Sequence, residues 1–250
     1  MTALHSPPLQ GAFHSSPLRG TAPAPIHQSW PGSERRFPRR GQPDWLTLGH
    51  IARQLVHALE RMALPPGSWV LDCGCGERPY YPFFQARGLR YVGVDAEPVV
   101  GPHLLADGER LPFRAGQFDL AISNQVLEHV RNPKAVVAEM RRVLRPGGFL
   151  FVSLPFVWEV HNYPADFWRF SEQGVVELLA GFKLLELEGA GTSLQAILQT
   201  LHLWLNRTLS SAALKRNLFR LSNRTLMSWA GRTRDRLLPP NYTALAQKPL

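Results

Sequence analysis

The sequence predicts an α/β domain built on a mostly parallel sheet covered on both faces, and two observations carry that reading. Short apolar runs near residues 69–73, 90–95, 103–106, 118–123 and 149–154 alternate with helix-like segments, the pattern of right-handed crossover units. The first run ends in Val70-Leu71-Asp72-Cys73-Gly74-Cys75-Gly76. This is a strand breaking into a glycine turn at the carboxyl end of the sheet, where open α/β folds bind ligands.

Taken in order, residues 1–43 hold eight prolines, four glycines and five serines without an apolar period. Such a segment buries too little surface to offset its ordering entropy, and a disordered tail is expected. Trp45 to Ala63 places Leu48, Ile51, Leu55, Leu59 and Met62 at three- and four-residue steps, an amphipathic helix that the Leu-Pro-Pro-Gly after it ends. Pro133 to Leu144 reads as another, with Ala135, Val136, Met140, Val143 and Leu144 on one side and Arg-Pro-Gly-Gly closing it. A sixth strand is expected over 182–191 and a seventh over 241–248, with roughly fifty residues inserted between them. The core is thus expected over 44–191, the insertion over 192–240 and the last strand within 241–250.

That insertion has its own pattern. Leu194, Ile197, Leu198, Leu201, Leu205 and Leu209 form an apolar stripe, and Arg216, Arg220 and Arg224 recur every four residues with no acidic partner nearby in sequence. The formal charge of +9 is correspondingly segregated: residues 1–43 carry +4, residues 206–236 carry +7, Lys248 adds one, and residues 44–205 carry −3. A basic amphipathic lid of this kind suits an anionic membrane surface or an anionic, lipid-linked acceptor; RNA fits less directly.

With only Cys73 and Cys75 present, one residue apart, a disulfide framework is not expected, and a reducing, cytoplasmic setting is. No secretory leader is read at the start, and no apolar run is long enough to span a bilayer. The two thiols lack the second Cys or His pair of a zinc site, so they are expected to fill the turn as small residues.

The glycine loop does not suit a dinucleotide. After Gly74 and Gly76 the sixth position of the Gly-x-Gly-x-x-Gly pattern is Pro79, and no Gly-Lys-Ser or Gly-Lys-Thr follows for a phosphate loop. A carboxylate on Asp72 repels a pyrophosphate but suits a cationic amine. Asp95, nineteen residues past Gly76, closes the next strand where ribose hydroxyls are bound. Asp107 follows the short third strand and can accept from an adenine amino group. A ligand that wants an acid and close backbone without a phosphate is S-adenosylmethionine.

Five segments in order, VLDCGCG, VGVDAEP, ADGERLPF, FDLAISNQVLEHV and RRVLRPGGFLFVSLP, over about residues 69–154, resemble the class I S-adenosylmethionine-dependent methyltransferases of the type 11 methyltransferase domain family. The resemblance implies a Rossmann-like, doubly wound, seven-stranded sheet with an antiparallel last strand. It carries cofactor roles onto Asp72, Gly74, Gly76, Asp95, Asp107 and Asn124. The chain departs from the pattern at Arg78, where many members have a third glycine, and Arg78 becomes a candidate partner for the methionine carboxylate.

Two further segments bear on chemistry. In Asn124 to Val130 one acid, Glu128, and one imidazole, His129, make a thin donor set for magnesium, so no metal is expected and both are read as holding the loop. His161 to Ser171 follows the fifth strand and resembles a signature found in a bacterial subset of the family associated with glycan and lipid modification. His161, Asp166 and His129 are the candidate catalytic groups, with Asp166 equally suited to pairing with Arg169. The function expected is O-methylation of a small, lipid-linked or sugar-containing acceptor. A nucleic-acid methyltransferase and a non-catalytic cofactor-binding scaffold are the alternatives.

Overall fold

The structure is a computed structural model that describes residues 30–98, 103–161, 165–233 and 235–250. Seven strands, β1 (Trp69–Cys73), β2 (Arg90–Asp95), β3 (Leu104–Leu105), β4 (Phe118–Asn124), β5 (Leu144–Pro155), β6 (Lys183–Gly189) and β7 (Asn241–Gln247), form one sheet in the order β3-β2-β1-β4-β5-β7-β6. All pairs from β3 to β5 are parallel, and β7 runs antiparallel to both of its neighbours. The crossovers reverse direction between β1 and β4, and in open α/β sheets such a switch leaves a crevice at the carboxyl ends of the two strands.

Two-residue alternation sorts the strand side chains onto two cores. Val70, Leu120, Ile122, Phe151 and Leu245 face α2 (Trp45–Met62), which buries Ile51, Leu55 and Leu59 in this core, and α3 (Tyr81–Gln85), which adds Phe83 and Phe84. Leu71, Ala121, Leu150 and Val152 face the other way, onto Val136 and Met140 of α4 (Pro133–Val143) and Val175 of α5 (Glu172–Leu178). The helix starts follow from capping. Asn132 accepts from the Ala135 amide ahead of Pro133 in α4, and Ser171 accepts from the Gly174 amide in α5. One expectation shifts: Arg145 to Gly148 ends α4 but also begins β5, because the Gly147 amide donates to the Lys248 carbonyl and the Lys248 amide to that of Gly148.

The disordered tail expected over 1–43 is corrected at its carboxyl end; residues 1–29 lie outside the described residues. Residues 30–43, including the short α1 (Ser33–Arg36), pack on the domain. Trp30 Nε1 donates to the Arg78 carbonyl at 3.0 Å, and buried Arg36 donates to the Trp30, Pro31 and Pro79 carbonyls. Arg40 donates to the Asn223 carbonyl at 2.7 Å. Composition predicts disorder here only because it cannot register a buried arginine that satisfies several carbonyls at once.

The residues between β6 and β7 form α6 (Ser193–Thr208), α7 (Ala212–Arg224) and α8 (Leu226–Ala230), which pack on one another. Among the described residues no helix is long and apolar enough to cross a membrane.

Candidate functional site

The glycine loop lies beneath the crevice at the end of β1. Gly74 has φ +75°, and a Cβ there would stand 2.4 Å from Val126 Cγ2, so only glycine lets the β4 loop close over β1. Gly76, at φ +49°, would point its Cβ into open space. Asp95 latches the loop by accepting the Gly76 amide at 2.9 Å on Oδ2, while Oδ1 accepts the Glu97 amide at 3.1 Å.

Beneath the loop, Asp72 is buried and takes a 2.5 Å hydrogen bond from the Tyr91 hydroxyl. Burial pushes its carboxyl up to about 7, with the nearby Asp95 charge acting in the same direction and the Tyr91 bond opposing them. Cys73 and Cys75 are both buried free thiols. Burial drives the thiols up, that of Cys73 to about 12, so neither is a nucleophile near neutrality.

The sequence-marked residues follow or end β1, β3 and β4. Asp107 follows β3, where Oδ1 accepts the Glu109 amide at 2.9 Å. Asn124 ends β4, and both polar atoms of its side chain are shielded from solvent without a partner. Arg78, at φ +55°, places Nη1 2.8 Å from His103 Nε2 and its guanidinium over the Trp30 ring at 5.3 Å. Gln125 is turned away, bonded to Asn241 and Ser153 at the ends of β7 and β5.

The second cluster grows from the turn after β4. A 3-10 turn, Leu127–His129, carries Glu128 and His129, and the 165–170 segment is stitched onto it. The Phe167 amide donates to the Glu128 carbonyl at 2.8 Å, Trp168 Nε1 to the Val130 carbonyl at 2.9 Å, and His129 Nδ1 to the Ala165 carbonyl at 2.5 Å. The stitching brings the His129 and His161 rings edge to face, with centroids 4.7 Å apart. Tyr163, an aromatic of the same segment and a candidate to wall off a substrate, lies outside the described residues.

Asp166 answers the alternative left open in the sequence. Arg169 donates to both of its oxygens, at 2.6 and 2.8 Å, and the His161 amide adds a third bond at 2.8 Å. Those bonds hold its carboxyl well below the usual range. It is therefore a poor proton acceptor, which corrects its candidacy as a catalytic base. Asp166 instead positions His161, whose Nδ1 lies 3.3 Å from the Glu159 carbonyl and 3.4 Å from Asp166 Oδ2. That arrangement assigns the proton to Nδ1 and leaves Nε2 as the acceptor. Burial keeps the His161 ring below its ordinary value, so it is neutral at physiological pH.

Glu128 is the residue sequence reasoning underrated. Its side chain is fully buried, neither oxygen has a hydrogen-bond partner, and His129 Nε2 stands 3.8 Å away. Burial pushes its carboxyl up to about 8, so it is a neutral acid near pH 7. The ligand atoms of Glu128, His129 and His161 lie within 4.8 Å of one another, the one set of metal-donor groups brought together among the described residues.

The fold is similar to that of Rossmann-like methyltransferases of known structure. Residues 71–152 match the family model described as a methyltransferase domain, and that segment is similar to this family. An uncharacterized methyltransferase of Mycobacterium sp. (strain KMS) is 39% identical over 104 residues, 38% of this chain and 41% of the relative. One from Mycobacterium leprae (strain TN) is 36% identical over 103 residues, covering 36% and 38%. The chain thus spans about two fifths of the curated relatives it matches. Among solved structures, a phosphoethanolamine N-methyltransferase of Haemonchus contortus in complex with S-adenosyl-L-methionine superposes with a TM-score of 0.54 at 17% identity, over 83% of this chain and 56% of that one. The [4+2]-cyclase SpnF does so with a TM-score of 0.54 at 21% identity, over 80% and 81%. A cyclase on the same framework shows that the fold alone does not name a reaction.

Proposed function

We propose that the protein is an S-adenosylmethionine-dependent methyltransferase that methylates a hydroxyl of a small, lipid-linked or sugar-containing acceptor. The observation that supports it most is the unfilled polar capacity around the crevice. Asn124 has a shielded, unpartnered amide at the end of β4, Gly76 faces open space, and acids stand on all three neighbouring strand ends. A buried amide without partners costs about 1–3 kcal/mol, which a ligand at that position relieves.

The residues fit the cofactor. Asp72 would face its amine, Asp95 the ribose hydroxyls, and Asp107 and Asn124 the adenine side, with Gly74 and Gly76 admitting close backbone approach and Arg78 available to its carboxylate. When bound, S-adenosylmethionine supplies a methyl group on a sulfonium, already activated for transfer. What remains for the chain is to orient the acceptor, exclude water and take one proton. His161 Nε2 is the acceptor for the hydroxyl proton, in the tautomer set by Glu159 and Asp166. Neutral Glu128 keeps a second negative charge out of the site.

Calorimetry with S-adenosylhomocysteine tests the reading. Binding by the full chain, weakened at least tenfold in Asp95→Ala, is the expected result. No binding, or equal binding by the variant, overturns it. Label from the methyl-labelled cofactor is then expected in the lipid or glycan fraction of a lysate; label in nucleic acid would favour that substrate class instead.

A further inference from the structure

Helix α6 buries Ala196 and Leu203 but turns part of its apolar surface outward. Its apolar residues Ile197, Leu201 and Trp204 are 57%, 47% and 57% exposed, while Gln195, Gln199 and His202 are buried against the domain. The inward polar face is engaged except at His202 Nδ1, which is buried without a partner. Gln199 Oε1 accepts the Thr47 amide at 3.1 Å and Nε2 donates to the Thr47 hydroxyl at 2.8 Å. Gln195 accepts from the Thr192 amide and donates to the Met227 carbonyl, and His202 Nε2 pairs with Ser222 Oγ at 2.8 Å. Turning the helix to bury its leucines would strip all of these bonds, so the outward apolar face is fixed by the fold.

The neighbouring helices also expose apolar residues. On α7, Leu214 and Leu221 are exposed on one stripe while Phe219, Ser222 and Asn223 face inward, and Trp229 of α8 is 60% exposed. Flanking the leucines, Arg216, Arg220 and Arg224 have no salt bridge recorded among the described residues. Two of them join Arg40 and Ser228 around an open recess that no acid lines. An apolar, tryptophan-bearing face edged by unpaired arginines matches an anionic bilayer, with the rings at headgroup depth and the guanidiniums on lipid phosphates. A second copy of the chain would set like charges together at the same edge.

We propose that the outward face of α6, α7 and α8 docks on an anionic membrane surface, with the Arg40–Arg220–Arg224 recess receiving a lipid phosphate. The docking face is joined to the proposed acceptor loop. Arg207, in the last turn of α6, donates to the Glu159 carboxylate and to the Val160 carbonyl, the residue before His161. A docked protein would therefore hold that loop close to the lipid headgroups. The surface itself stands independently of the methyltransferase reading.

Flotation of the full chain with vesicles of phosphatidylcholine and phosphatidylglycerol, against phosphatidylcholine alone, tests it. Binding is expected only with the anionic lipid, with a blue shift of tryptophan emission and release by added salt. The double variant Leu201→Glu/Trp204→Glu is expected to lose at least tenfold in vesicle affinity, and Arg220→Glu/Arg224→Glu to lose the salt-sensitive part. Both should keep the wild-type melting temperature and S-adenosylhomocysteine affinity, which separates failure here from failure of the catalytic reading. Absence of anionic vesicle binding at low salt overturns the proposal. So does a dimer in solution that the Leu201→Glu/Trp204→Glu variant dissociates.

Discussion

Single side chains set the chemistry of the crevice, and their protonation makes it testable. Asp72 has an ordinary value of 3.8 and a folded value of about 7. Ionising it in place therefore opposes folding increasingly from about pH 4 to about pH 7, and steadily above that. Asp72→Asn should raise the melting temperature at pH 8 by on the order of 5 °C, a gain that vanishes toward pH 4, while weakening cofactor binding. Glu128→Gln follows the same sign about one unit higher, its gain growing up to pH 8, as differential scanning fluorimetry across pH would show. His161→Ala should lower kcat by roughly 10²- to 10⁴-fold with S-adenosylhomocysteine binding unchanged. Asp166→Asn should instead move the pH profile of kcat, because it alters what orients the His161 ring; a drop in stability alone would leave that profile in place. Asp72, Asp95 and the glycines were legible in the sequence because strand ends are local features. Glu128 was not, since nothing in Leu-Glu-His announces that the 165–170 segment will seal it from water without giving it a partner.

At the scale of elements, helix periodicity told where α6 would form but not which side would face the domain. The stripe of Leu194, Ile197, Leu201 and Leu205 is plain in sequence. The buried side is decided by Thr192, whose hydroxyl accepts the Gln195 amide while Gln195 reaches back to the Thr192 amide, and by Thr47 across on α2. Gln199→Ala should therefore destabilise the protein by about 1–3 kcal/mol, since it leaves the Thr47 amide and hydroxyl unpaired in a buried site. Leu201→Ala, on the same helix, should fall within about 0.5 kcal/mol of wild type. Urea denaturation of the two variants checks the contrast, and equal losses would mean that the helix buries its other face. Residues 30–43 escaped the sequence for a related reason: their order comes from partners far along the chain.

For the molecule as a whole, the strap of residues 30–37 ties the amino-terminal region to the glycine loop through Trp30 and Arg36. Arg36→Ala should loosen that loop, lowering both the melting temperature and S-adenosylhomocysteine affinity, and calorimetry on the variant measures the second effect directly. The sheet order has a consequence for how the protein is made. Among the described residues β6 pairs only with β7, yet β7 follows it by about fifty residues and must slot between β6 and the already paired β5. During synthesis β6 therefore waits as an open-edged strand while α6 to α8 emerge from the ribosome with their apolar sides unburied. That interval is when a chaperone would have most to hold, and ribosome-stalled chains ending before residue 241 should bind one more than chains in which β7 has cleared the exit tunnel.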